Sequence, residues 1–319
     1  MRLFDQAKYP FLEKRRTTYM LSGIVIGVGV AFMIYNVFSI GSWQNYGVDF
    51  TGGSFIQVRF DQPTTAAQLR AALGGPDAPA ITSFGDQNEF VIRAELTDEE
   101  VSVVADGVRR QLEAAFGTGV FEIVRQESVG PTIGAELQQK AALAMLFSFA
   151  LTLIYLAIRF EFRFGVAAVI ATIHDILITL GFLAAFRMEI ALPTVAAILT
   201  IVGYSLNDTI VVFDRVRENL NAKGGRRQDP AELVNRSINE TLPRTVLTST
   251  TTLAVLLSLF FVGGAVIRDF TVVLILGVVI GTYSSIFVAS PALLEIQARF
   301  GDSSQSADRK KRRRSASAA

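Results

Sequence analysis

The chain has 319 residues, half of them hydrophobic and only 18% charged, with 30 Lys and Arg against 29 Asp and Glu. A soluble chain of this length seldom has such a composition, so the balance places it in a membrane, and the net charge of +1 gives no reason to expect a nucleic-acid partner. With no cysteine, disulfides and thiolate chemistry are excluded, and with one histidine, His174, a histidine-built metal centre is not expected; neither a metal nor another cofactor is called for.

In chain order, a basic segment (1–17) holding Arg2, Lys8, Lys14, Arg15 and Arg16 precedes the first apolar run, 18–39. That run is longer than a signal-peptide core and no small-x-small site follows, so it reads as a retained span. Five further runs, 139–159, 165–186, 190–213, 245–264 and 269–292, are each long enough to cross the bilayer core as a helix. Six helices place the basic N-terminal segment, the Arg-rich loop of about 214–243 and the basic tail 294–319 on one side, which the positive-inside rule makes cytoplasmic. The tail reads as a topology anchor on anionic lipid. Residues 40–138 then face outward.

Within 40–138, strands are expected over 54–60, 81–84, 90–94 and 121–125. Helices are expected over 64–73, capped by Thr64 or Thr65, and 97–116, capped by Thr97 with Asp98, Glu99 and Glu100 in its first turn. The order β-α-β-β-α-β is the split pattern of a small ferredoxin-like α+β domain, fit for binding or docking rather than catalysis. Its flanks are YGVDFTGG (46–53) and VGPTIGAEL (129–137). Gly47, Asp49, Gly52, Gly53, Gly130 and Pro131 stand there, with glycine and proline placed for sharp reversals that serve as connectors or as hinges.

Inside the spans, His174 and Asp175 fall near the expected midplane, and Asn207 and Asp208 one to two turns from the cytoplasmic end of the fourth span. Arg244 opens the fifth, followed by Thr248, Ser249, Thr250, Thr251 and Thr252. A carboxylate in hydrocarbon costs about 2.5–3.5 kcal/mol, so Asp175 and Asp208 must face protein, water or a partner chain. Two readings of Asp208 stand side by side, a static ion pair with Arg244 or a proton-carrying group; Asp175 is either a packing hydrogen-bond partner or a second proton carrier. The hydroxyls line a wet path or bond their own helix. Asp214 and Arg215 read as boundary residues, Glu189 and Asp269 as interfacial ones. Proteolysis has little support: there is no HExxH motif, no cysteine and no convincing serine dyad, and Asp175 and Asp208 differ in depth by about 7 Å, too far for a shared catalytic water.

Seven segments in order, YGVDFTGG, VGPTIGAEL, IRFEFRF, HDILIT, IVGYSLNDTIVVFDRVREN, NRSINETLPRT and GTYSSIFVASP, resemble the SecF family of the bacterial Sec translocase's SecD/SecF complex. The resemblance implies half of an RND-like transporter: six membrane helices with an α+β domain between the first two. It also implies a SecD-like companion, the Sec channel and secreted polypeptides as partners, an inner-membrane location, and use of the proton-motive force to promote export. Asp208 of GYSLND and Arg244 of LPRT are its strongest carry-overs for proton coupling, with Asp175 of HDILIT and Asn207 beside them. A stand-alone proton-driven exporter of small molecules and a non-transducing scaffold of the channel are the alternatives.

Overall fold

A computed structural model describes residues 8–75, 78–84, 88–94, 101–223, 228–264 and 267–299. Its first helix, α1, runs from Arg15 to Ile40 and stops where Gly41 takes the left-handed conformation, φ 74°. A two-residue strand, β1 (Asn45–Tyr46), and one helical turn, α2 (Val48–Thr51), lead to the sheet domain. There β2 (Gly53–Phe60), β3 (Ala80–Phe84), β4 (Glu89–Ala94) and β5 (Phe121–Val129) form an antiparallel sheet in the order β3-β4-β2-β5, with helices α3 (Ala66–Ala72) and α4 (Val101–Phe116). This is the ferredoxin-like arrangement that the alternation predicts.

Alternation along β2 supplies the domain's core: Ile56, Val58 and Phe60 pack with Ile92 of β4 beneath Leu69 of α3 and Leu112 of α4. Thr65 caps α3 by accepting from the Gln68 N–H, while the Gln68 side chain accepts from the Thr65 N–H at 2.9 Å. The expected cap of α4, Thr97 with its three acidic followers, lies outside the described residues.

Five long helices follow: α5 (Pro131–Arg159), α6 (Phe162–Ala185), α7 (Leu192–Asn221), α8 (Pro230–Val262) and α9 (Arg268–Ser284). The last continues through a π-helical turn, Ser285–Ala289, to Arg299. A short strand β6 (Glu189–Ile190) precedes α7 and pairs in parallel with β1. Among the described residues, six helices are thus long and apolar enough to cross a membrane.

Helices α7 and α8 together cover most of the stretch from 214 to 243 that the hydropathy pattern gives to a loop. Asp229 caps α8, Pro230 occupies its first turn, and Leu233, Val234, Ile238 and Leu242 bury one face at helical spacing. Charged residues on the other face hide this helix from a count of apolar runs. At that end Tyr9 is held by Asn235 and Asn239, its carbonyl accepting from both side-chain amides at 3.0 Å. Asp214 accepts from Arg159 at 2.7 Å, and Arg215 bonds Glu240 at 2.7 Å, so both expected boundary residues cross-link helices.

Helix α6 is enclosed by α1, α7 and α9. Contact with α1 is close enough that a Cβ on Gly29 would come within 2.7 Å of the Gly181 Cα. Further along α1, the buried Asn36 donates from Nδ2 to the Ala184 carbonyl of α6 at 2.9 Å. The outer faces of α5 and α8 instead leave large apolar side chains uncovered, among them Ile158 and Phe261.

Candidate functional site

Asp175 sits at the centre of the bundle and is 1% exposed. Its Oδ1 meets His174 Nδ1 at 2.8 Å, and its Oδ2 accepts from Ser205 of α7 and, at 2.8 Å, from Ser284 of α9. Both serines can reach it because α9 presents glycine to α7: a Cβ on Gly281 would lie 3.0 Å from the Ser205 Cβ, and one on Gly277 would overlap Ile201. Ser284 is the residue immediately before the π-helical turn, a distortion often found at functional sites.

On its other side, His174 Nε2 contacts Ser22 Oγ of α1 at 3.0 Å, and Ser22 meets the Tyr283 hydroxyl of α9 at 3.2 Å. Tyr283 in turn donates to the Thr18 carbonyl at 3.0 Å. Ser22, His174 and Asp175 therefore follow the order of a hydrolase triad. The hydroxyl lies inside α1, however, where the neighbouring N–H groups are used by the helix, so no pair of donors is free to stabilise an oxyanion. The arrangement is a hydrogen-bond chain rather than a nucleophilic site.

Asp208 lies three residues beyond Ser205 on α7, about 4.5 Å along the axis. It is 3% exposed, and its Oδ2 is buried without a hydrogen-bond partner among the described residues. Two buried hydroxyls, Thr209 Oγ1 on α7 and Thr245 Oγ1 on α8, are likewise unpartnered. No salt bridge joins Asp208 to Arg244; the guanidinium acts on it through space, and Arg244 is exposed on α8 as Asn207 is on α7. Of the hydroxyl cluster, Thr248, Thr251 and Thr252 bond carbonyls of their own helix, whereas Ser249 crosses to Thr282 of α9 at 2.6 Å.

Where the sheet domain meets the bundle, the glycine-rich segment is tightly packed. Gly52 and Gly53 adopt φ 73° and φ 119°, a region that side chains resist, and a Cβ on Gly53 would approach the Ala94 carbonyl to 2.9 Å. Gly47 lies so close to Glu189 that a Cβ would overlap its carboxylate, whereas Gly130, with φ −66° and open space around it, simply precedes Pro131 at the first turn of α5. Asp49 accepts from the Leu192 N–H at 2.8 Å, capping α7, whose own N-cap residue is Ala191. Arg93 of β4 bonds Glu189 at 2.6 Å, so the same short turn is held by the domain at two points. Tyr46, in β1 outside the spans, has its phenol pushed up by burial.

Sequence reading singles out Asp175, Asp208 and the GG segment as candidates and passes over Ser22, Ser205, Tyr283 and Ser284, which the structure brings to Asp175 and His174. Serine and tyrosine are ordinary in apolar helices, and only the crossings of α1, α7 and α9 over α6 give these four a role.

The family model described as Protein export membrane protein SecD/SecF, C-terminal, matches residues 110–299, and the SecD/SecF GG Motif matches 45–64. The chain is 46% identical over 308 residues to the protein translocase subunit SecF of Gemmatimonas aurantiaca, covering 94% of this chain and 90% of that one. It is 44% identical over 273 residues to the SecF of Vibrio alginolyticus, covering 83% and 85%. Among solved structures it resembles SecDF, a translocon-associated membrane protein from Thermus thermophilus, with TM-score 0.79 and 38% identity. That match covers 93% of this chain, which spans 40% of the SecDF chain.

Proposed function

Because the chain belongs to the SecD/SecF family of protein-export membrane proteins, with a Sec translocase accessory role in a multi-pass inner-membrane setting, we propose that it couples the proton-motive force to export together with a SecD-like half. Asp208 takes up and releases the proton, Arg244 sets its field, and Asp175 serves as a second carrier within the bundle. Asn207 and Arg244, both on the outer face, meet the companion half. The N- and C-termini face the cytoplasm, and the sheet domain faces the periplasm, where it holds or releases the emerging polypeptide.

One observation carries this reading: among the described residues, Asp208 Oδ2 is buried without a hydrogen-bond partner. A purely structural carboxylate would have its lone pairs occupied, since leaving such a group unpaired costs on the order of 1–3 kcal/mol or more. A group that must change state gains from not being locked.

Magnitudes favour more than one carrier. A charge crossing 100 mV releases about 2.3 kcal/mol, whereas moving a two-state element from 1:99 to 99:1 needs about 5.5 kcal/mol. Potential alone acting on a single proton therefore gives a partial bias, and a pH gradient or a second titrating group supplies the rest. Repacking of α7 against α8 would reach the sheet domain through the Asp49 cap and the Arg93–Glu189 bridge, with the bends at Gly52 and Pro131 as the hinges.

Asp208→Asn should abolish stimulation of export by an imposed proton gradient in reconstituted vesicles while the complex still co-purifies. Full stimulation in that variant would remove Asp208 from its role. A chain that purifies from membranes without a SecD-like companion and moves small molecules would favour the stand-alone exporter instead.

A further inference from the structure

Hydrogen-atom accounting along the buried chain leads past Asp208. Tyr283 has one hydroxyl hydrogen, given to the Thr18 carbonyl, so its oxygen accepts from Ser22. With its own hydrogen used, Ser22 accepts from His174 Nε2. Nδ1 then faces Asp175 Oδ1 at 2.8 Å, a contact that requires one more proton: an imidazolium donating to a carboxylate, or a carboxylic acid donating to bare nitrogen.

We propose that His174 and Asp175 together bind a single exchangeable proton, and that Ser22 and Tyr283 relay its presence to the Thr18 end of α1. When that proton leaves, the neutral imidazole keeps Nδ1–H toward the carboxylate, and Nε2 becomes an acceptor. The Ser22 hydroxyl reverses to donate to it. Tyr283 then holds one hydrogen for two acceptors, Ser22 Oγ and the Thr18 carbonyl, and the tie between α9 and α1 weakens. The hydroxyls keep their own hydrogens and only reorient, while the proton itself is exchanged with water, so only the pair changes charge. Among the described residues, Ser22 and Tyr283 are the polar side chains lining the groove of about 430 Å³ between α1, α6 and α9, whose other lining residues are apolar.

The helices packed on α6 present few other titratable groups. Tyr283 stacks on the imidazole with centroids 6.1 Å apart, and Asp208 lies one turn beyond Ser205. Helix α5 carries no charge between Lys140 and Arg159. Near the Thr18 end, Arg15 and Glu295 act through space on Tyr19, the neighbouring residue of α1.

This inference rests on the reading that embedded carboxyl groups carry protons, yet it is testable without export. His174 is the chain's one histidine, so [15N]histidine in the complex, reconstituted in lipid, reports this site by difference against His174→Gln. Between about pH 5 and pH 9 the spectrum should pass from protonated Nε2 to an Nδ1–H tautomer with bare Nε2. Asp175→Asn should abolish that transition, and Tyr283→Phe and Ser22→Ala should each change proton affinity about fivefold, the weight of one hydrogen bond. A fixed tautomer across the range would overturn the relay, as would a midpoint unmoved in both hydroxyl variants or a transition surviving in Asp175→Asn. Lost gradient coupling in Asp208→Asn alongside a fixed His174 would overturn the relay alone; a normal titration with full coupling in Asp208→Asn would overturn only the role of Asp208.

Discussion

Replacing Asp49 with alanine should loosen the start of α7 without touching the buried cluster directly. The carboxylate accepts from the Leu192 N–H at 2.8 Å, at a helix N-terminus where Ala191 has no side chain able to cap. Loss of an N-cap costs about 1 kcal/mol, and loss of a negative charge at the positive end of the helix dipole a further 0.3–1 kcal/mol. The bond is solvent-exposed, so water replaces part of it and the combined loss should be about 1–1.5 kcal/mol. That corresponds to about five- to thirteenfold more frequent opening of the first turn. Fragment-resolved amide exchange over residues 188–198, compared with a fragment from α8, measures it. Asp49→Asn keeps an acceptor oxygen and should show only the charge component, about two- to fivefold. Unchanged protection of Leu192 in correctly assembled Asp49→Ala protein would refute the assignment of Asp49 as the cap of α7.

Gly29→Ala and Gly181→Ala should each lower the thermal midpoint, since either methyl meets backbone within 3 Å; overpacking of this kind costs about 1–3 kcal/mol. The double variant should cost less than the sum, because one separation of α1 from α6 relieves both clashes. Gly281→Ala should push Ser205 away from Asp175 and change the His174 nitrogen spectrum, while a neutral surface change such as Ser258→Ala leaves it alone. Arg93→Ala and Glu189→Gln should each increase proteolytic nicking at the root of the sheet domain, with a coupling energy of about 0.5–3 kcal/mol in a double-mutant cycle. Additive effects there would mean that the bridge does not hold the joint.

Much of the architecture is legible because it is written in local periodicity. Apolar runs mark the spans, and the alternation of Ile56, Val58 and Phe60 marks the central strand of the sheet. The first two turns of α8 are less legible, since a half-polar helix lacks a continuous apolar run. The site divides along the same line. Asp175 and Asp208 stand out because carboxylates in apolar sequence are costly. The bonds that give Asp175 its surroundings join residues 109, 30 and, through His174, 152 positions apart, separations on which periodicity is silent. The triplet of Ser22, His174 and Asp175 escapes a motif search for the same reason, and Asp49 reads as part of a reversal until α7 is seen to start against it.

The bond between Asn36 and the Ala184 carbonyl also has a bearing on how the protein is made. The donor emerges from the ribosome 148 residues before its acceptor, an interval of about 7–30 s at ordinary elongation rates. Throughout that time a carboxamide in the first inserted helix has no native mate, so nascent α1 must shelter it against an insertase, a lipid headgroup or trapped water until α6 is threaded. Biogenesis intermediates halted before residue 184 should therefore crosslink through position 36 to whatever keeps it company, and full-length chains should not.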